Sequence, residues 1–115
     1  IVLEFGWAYG KDGTQLEGKW ILNCVSSGGS EHAYQKTGRN RYTINEFLRP
    51  FEQTATLCHM NYLPPFVLFG VNRYSDTDLQ SEAEKYIKLL RKLSSSSLTY
   101  EMLQLSTINS WCTQD

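Results

Sequence analysis

No stretch of the 115 residues strings together the roughly 20 apolar side chains that a bilayer-spanning helix needs. A basic segment leading into an apolar one is also missing from the N-terminus, so the chain reads as soluble and without an export signal. Excess charge of either sign is absent, because 11 Lys and Arg face 12 Asp and Glu for a formal net charge of -1. That balance offers no field for a nucleic-acid backbone or an anionic bilayer, which excludes nucleic acid as a partner. Cysteine is scarce. Cys24 lies in an apolar run, Cys58 on an apolar helical face, and with Cys112 they make an odd number without paired spacing. They read as reduced core thiols of a cytoplasmic protein. His32 and His59 stand alone, with no second ligand at metal spacing, so no metal site is expected. Neither G-x-S-x-G nor a Walker sequence occurs, which leaves hydrolase and nucleotide-triphosphatase readings unsupported.

What the chain does have is an apolar run, Trp20-Ile21-Leu22-Asn23-Cys24-Val25, that ends abruptly in Ser26-Ser27-Gly28-Gly29. This is the pattern of a buried strand opening into a turn. Two small hydroxyls at a strand's carboxyl end, followed by glycines that let main-chain N–H groups come close, suit a flat heterocycle with polar edges. A flexible Ser/Gly linker is the competing reading on composition alone.

Around that run, the first five residues are expected to be the last turn of a helix, and residues 6–18, with four glycines, form a loop. Residues 28–42 are a second loop. Thr43-Ile44-Asn45-Glu46 is a capping box that starts a helix, and Pro50 predicts a kink, or two short helices with Pro50 near the start of the second. Residues 66–71 read as a second buried strand. Ser75 or Asp76 caps a further helix whose stripe is Leu79, Ala83, Tyr86, Ile87, Leu90 and Leu93. Four serines at 94–97 form a linker, and Leu98, Met102, Leu105 and Trp111 suggest a weak final helix. Strand, helix, strand, helix implies an α/β domain with a right-handed crossover between parallel strands.

Taken together, Gly6-Trp7-Ala8-Tyr9-Gly10, Leu16-Glu17-Gly18-Lys19, the strand and Ser26-Ser27-Gly28-Gly29 resemble the flavodoxin-like NAD(P)H:quinone oxidoreductases. Within that family the match is nearest to the ancillary subunits of glutathione-gated potassium efflux (Kef) systems. Asn40-Arg41-Tyr42, Phe47-Leu48-Arg49-Pro50-Phe51-Glu52, Cys58-His59-Met60 and Leu63-Pro64-Pro65 extend it, so it covers residues 1–93, with 94–115 a serine linker and tail.

The resemblance implies the C-terminal portion of a flavodoxin-like, doubly wound parallel sheet of strand order 2-1-3-4-5, with about two strands and their helices present. Because the chain opens at Ile1, inside an apolar segment, it reads as a piece of a longer protein. The implied activity is FMN-dependent NAD(P)H oxidation, with hydride passed to a quinone or similar acceptor by a homodimer. The alternative is a regulatory ancillary subunit of a potassium/proton efflux antiporter, cytoplasmic and held at the inner membrane through that partner. By resemblance, Ser26, Ser27, Gly28, Gly29 and Tyr34 hold the flavin, Tyr34 and Asn40 take the catalytic positions, and Tyr9 meets the substrate. Asn40 stands where quinone reductases of the family carry histidine, and an amide donates a hydrogen bond but does not relay a proton near neutral pH.

Overall fold

A computed structural model describes residues 2–111. Ile1 and Cys112 lie outside that range. Four short strands and four helices alternate in the order β1 (Trp20–Ile21), β2 (Cys24–Ser26), α1 (Ile44–Phe47), α2 (Arg49–Leu57), β3 (Asn61–Tyr62), β4 (Phe66–Leu68), α3 (Asp76–Ser95) and α4 (Tyr100–Leu103). Strand β1 pairs with β3 and β2 with β4, both in parallel, so the helical crossover that parallel pairing requires is α1 and α2.

The strand expected over residues 20–25 is thus divided into β1 and β2, and the cause lies in the segment it pairs with. Ile21 pairs with Tyr62 and Cys24 with Phe66, so the second segment carries one residue more than the first between its two paired stretches. That residue falls in Leu63-Pro64-Pro65, where two prolines lack the N–H that a ladder needs. Leu63 N–H to Ile21 C=O at 3.0 Å and Phe66 N–H to Asn23 C=O at 2.9 Å carry the pairing across the break. The strand expected over residues 66–71 stops at Leu68, because Gly70 turns left-handed at φ 67° and leads into a short 3-10 turn, Val71–Arg73.

No helix precedes the first loop in the described residues, contrary to expectation. Val2 and Phe5 are exposed, and the chain there folds back on itself, with Ala8 N–H on Glu4 C=O at 2.9 Å and Gly6 N–H on Tyr9 C=O at 2.8 Å. Ala8 is the buried residue of this turn.

The helix starts follow the sequence. Thr43 caps α1 and Glu46 reaches back to its N–H at 3.1 Å, while Pro50 sits in the first turn of a separate α2, where its missing N–H costs no helical bond. Ser75 caps α3 with Asp78 completing the box. Ser94 and Ser95 belong to that helix rather than to a linker.

The expected stripe on α3 is corrected. Leu89 is fully buried, whereas Leu79, Ile87 and Leu90 are nearly half exposed. Leu89 packs with Leu63, Phe66, Met102, Ile108 and Trp111, and Phe66 meets Tyr86 edge to face at 5.3 Å. The segment after residue 97 decides this. It forms a single turn, α4, and then runs back against the sheet, so Met102, Ile108 and Trp111 draw the buried face of α3 round to Leu89.

The accessible surface is 8017 Å², against about 6,400 Å² expected for a compact domain of this mass. The excess includes an apolar groove of about 670 Å³ between β1 and α3, lined by Trp20, Leu22, Leu63, Leu90, Leu93 and Leu98. Among the described residues, no helix is long and apolar enough to cross a membrane.

Candidate functional site

Strands β2 and β4 run in parallel, so the segments at their carboxyl ends emerge side by side, which is where open α/β sheets bind ligands. After β2 comes Ser27-Gly28-Gly29, and after β4 comes Phe69-Gly70-Val71-Asn72. Three backbone bonds clasp the two turns. Ser27 N–H reaches Leu68 C=O at 2.9 Å, Gly70 N–H reaches Gly29 C=O at 2.9 Å, and Val71 N–H reaches Ser27 C=O at 3.1 Å. The turn expected from sequence is therefore fixed by the neighbouring strand and is no flexible linker.

Close neighbours crowd both glycines, the movable end of a side chain at Gly28 and a packed ring at Gly29. A Cβ built on Gly28 would stand 2.9 Å from Asn72 Nδ2, and one on Gly29 would stand 3.2 Å from Tyr34 Cε2 and 3.7 Å from Asn40 Nδ2. Gly29, Tyr34 and Asn40, three of the residues singled out from sequence, thus converge on one spot.

Tyr34 is held as a ring. It stands edge to face with Phe47 at 5.8 Å and tilted against Phe69 at 5.7 Å, and Phe47 in turn meets Tyr42 at 6.0 Å. Asn40 is held through its backbone. Its N–H bonds Ala33 C=O at 3.0 Å, and its C=O accepts from Tyr42 N–H at 2.8 Å across Arg41, whose φ is 66°. That is a γ-turn around a non-glycine residue in the left-handed region, a conformation that costs of order 1–2 kcal/mol. Such local strain is characteristic of sites where a side chain must be aimed.

The polar heads differ in availability. Ser27 Oγ donates to Gly29 C=O at 2.9 Å, so its hydrogen is spent locally and its oxygen remains as an acceptor. Ser26 Oγ, the Tyr34 phenol and the Asn40 side-chain amide have no hydrogen-bond partner among the described residues. Ser26 is exposed, while Tyr34 and Asn40 are half-buried.

Tyr9 is not brought to this cluster. Its ring packs edge to face on Phe5 at 5.6 Å, and no other ring contact or side-chain bond is found for it among the described residues. Cys24 departs from the core position expected of it, because the thiol is exposed on β2; the apolar atoms flanking it still push its pKa up. Cys58 is buried as expected.

Asn72, Phe69 and Arg41 were not visible as site residues in the sequence. Only the parallel pairing of β2 and β4 brings Phe69 and Asn72 next to the Ser/Gly turn. A cleft of about 430 Å³ adjoins it on the β4 side, lined by Ser30, Glu31, Gly70, Arg73, Thr107 and Asn109 among others.

A flavin ring fits the chemistry of these donors, which are two glycine N–H groups at a strand end, a serine hydroxyl, a phenol and an amide beside an aromatic wall.

Comparison with known proteins bears on the family and the fold. Residues 1–90 match a family described by its flavodoxin-like fold. General stress protein 14 of Bacillus subtilis is 39% identical over 92 residues, 80% of this chain and 53% of that protein. The uncharacterized NAD(P)H oxidoreductase YdeQ of the same organism is 40% identical over 87 residues, 76% of this chain and 44% of YdeQ. KefG of Salmonella paratyphi C, a glutathione-regulated potassium-efflux system ancillary protein, is 40% identical over 85 residues, 74% of this chain and 46% of KefG. Among solved structures, the general stress protein 14 of Treponema denticola in complex with FMN superposes with a TM-score of 0.74 at 36% identity, over 80% of this chain and 52% of that one. An NADPH-quinone reductase from P. pentosaceus gives a TM-score of 0.68 at 27% identity, over 84% of this chain and 55% of that one. The chain spans about half the length of the curated relatives it matches.

Proposed function

The chain belongs to the flavodoxin-like fold family, and on that premise we propose that it is part of an FMN-dependent NAD(P)H oxidoreductase. The observation that carries this reading is the convergence of Gly29, Tyr34 and Asn40 beside the clasped Ser27–Gly29 turn. Bound FMN would supply a two-electron carrier that takes hydride from NAD(P)H and passes it to a quinone or similar acceptor.

This chain's own residues would do the following. Gly28 and Gly29 admit the ring edge to the backbone, and Ser26 offers it a hydroxyl. Ser27 fixes the shape of the turn through Gly29 C=O. Tyr34, its ring wedged between Phe47 and Phe69, presents its phenol O–H to the carbonyl edge where negative charge collects on reduction. Asn40 donates a hydrogen bond from a backbone held by the Arg41 turn and has no proton to relay. Donor and acceptor would use one pocket in turn, which makes the kinetics ping-pong.

Tyr9 would complete that pocket in a neighbouring subunit, so the working form is a homodimer. Its ring lies on Phe5 in an exposed turn, free of the Tyr34 cluster. The excess surface supports a chain whose domain is finished by further polypeptide, with residues 1–93 the family-like part and 94–115 an added tail. A cytoplasmic location goes with this reading.

The match to KefG favours a second reading, an ancillary subunit docked on the cytoplasmic side of a potassium efflux antiporter and so peripheral to the inner membrane. The amide at Asn40 in place of a proton-relaying group fits that role, with slow turnover. The test is FMN titration of the whole protein, including the rest of the length its relatives have, followed by stopped-flow reduction with NADPH. Binding with rapid reduction supports the enzyme; binding with slow reduction supports the ancillary subunit. A protein that takes up no FMN refutes both flavin roles.

A further inference from the structure

We propose that residues 106–109, which lie beyond the residues 1–90 that match the family, brace the candidate site, with Asn45 and Asn109 as positioning residues that hold Phe47 and Phe69 against Tyr34. The two aromatic walls of Tyr34 come from segments far apart in sequence, Phe47 from the end of α1 and Phe69 from just after β4. One short piece of the tail reaches both segments. Asn45 Nδ2, in α1, donates to Ser106 C=O at 2.8 Å. Three residues further on, Asn109 takes up both backbone groups of Val67 in β4: Val67 N–H donates to Asn109 Oδ1 at 3.0 Å, and Asn109 Nδ2 donates to Val67 C=O at 2.8 Å.

Each tie holds its wall from behind. Positions two apart on a helix point to opposite sides, so the Asn45 bond secures α1 on the side away from the Phe47 ring. Val67 stands two residues before Phe69, and the backbone between them is gripped on its other edge as well, by Ser27 N–H on Leu68 C=O and Gly70 N–H on Gly29 C=O, both at 2.9 Å. Held from two edges, that backbone fixes where the Phe69 ring points. The tail is itself anchored. Ile108 is fully buried and its N–H donates to Pro65 C=O at 2.9 Å, while the Lys92 ammonium donates to Trp111 C=O at 2.7 Å and lies 4.2 Å from the indole centre. The Tyr34 phenol has no hydrogen-bond partner among the described residues, so ring packing alone aims it. A hydrogen bond weakens steeply as its angle opens, and loosening either wall therefore degrades the bond the phenol would give a ligand. The brace rests on the bonds just given, whereas its effect on flavin reduction rests on the function proposed above.

The test uses the whole protein, including the rest of the length its relatives have, with Asn45→Ala and Asn109→Ala. Ring-proton shifts are read before FMN is added, and FMN titration and stopped-flow reduction with NADPH follow. Without FMN, the Tyr34 ring protons should move in both variants, together with those of Phe47 in the first and of Phe69 in the second. With FMN, reduction is expected to slow about tenfold in Asn109→Ala, as a misplaced group distant from the mutation does, while the Kd for FMN changes far less. In a Tyr34→Phe background the same substitution should slow reduction no further, because the phenol is the group that the brace aims. The amides of Asn61 and Leu63, bonded to Lys19 C=O and Ile21 C=O, report whether each variant is folded. Wild-type Tyr34 shifts in both folded variants overturn the brace. Displaced rings with wild-type reduction overturn the positioning role, as does an equal slowing in the Tyr34→Phe background. If Asn109→Ala unfolds, the Tyr34 shifts and the reduction rate of Asn45→Ala, which removes an exposed bond, decide. A protein that takes up no FMN refutes the flavin role, and the ring shifts still decide the brace.

Discussion

Gly29 and Tyr34 are set by each other: a Cβ on Gly29 would stand 3.2 Å from Tyr34 Cε2, so the phenol ring fills space that only glycine leaves. The same ring also touches Phe47 and Phe69, which leaves it little room to retreat. Gly29→Ala should therefore shift the ring by a few tenths of an ångström and cost about 1–3 kcal/mol, as overpacking does. Gly28→Ala meets only the end of the Asn72 side chain, which swings away, and should stay within about 0.5 kcal/mol of wild type. Urea denaturation gives the two costs, and the ring-proton shifts of Tyr34 and Phe69 should move in the first variant alone.

Arg41 sustains its left-handed φ of 66° so that Tyr42 N–H can close on Asn40 C=O. Arg41→Gly removes the strain and should be neutral or stabilising by up to about 1 kcal/mol, the greater entropy of the unfolded glycine chain offsetting part of the gain. Arg41→Val should cost more than about 1 kcal/mol, because a β-branched side chain tolerates that region worst. Thermal melts of the two variants that coincide would contradict the strain.

Leu89 and Leu90 are adjacent on α3 but face different surroundings, the first fully buried and the second 46% exposed. Leu89→Ala should cost about 2–5 kcal/mol through the cavity it leaves. Leu90→Ala removes a half-exposed side chain and should cost a small fraction of that. Urea midpoints at equal m-value measure the difference, and equal costs would restore the face expected from sequence spacing.

Backbone N–H donation from Ser75 at 2.9 Å holds the Asp78 carboxyl below the usual carboxylate range. A depressed folded-state pKa contributes stability above the unfolded value and loses it as pH falls through the folded one. The stability gap between wild type and Asp78→Asn should accordingly be full near neutrality and close in acid. Melting curves at stepped pH values check this. Ser75→Ala, which removes the cap acceptor, should cost about 1 kcal/mol at neutral pH.

The 115-residue chain alone should bind FMN weakly. Among the described residues, the clasped turns offer only one edge of a ring, through hydrogen bonds worth about 1 kcal/mol net each, which barely offset the entropy of association. Quenching of FMN fluorescence should give a Kd on the order of a millimolar. A sub-micromolar value would place a phosphate-holding surface within these residues.

Local chemistry made much of this chain legible. The capping box at Thr43, a helix start at Ser75 or Asp76, the start of α2 at Pro50 and the two apolar strands depend on residues within a few positions of one another, so their spacing alone reveals them. Ser26-Ser27-Gly28-Gly29 and Tyr34 could be singled out for the same reason, and the resemblance they carry placed the chain in its family. Contacts between distant segments decided the rest. Pro64 and Pro65 shift the pairing by one residue only because a partner strand exists to be mismatched. Leu89 is buried in preference to Leu90 because residues 98–111 pack beside α3, which helical periodicity cannot foresee. Asn72 joins the site because parallel pairing sets the end of β4 beside the end of β2, and Asn109 finds Val67 across 42 positions of sequence. The sequence states which groups each segment must bury or satisfy, while their partners are settled only when the whole chain competes for the same interior.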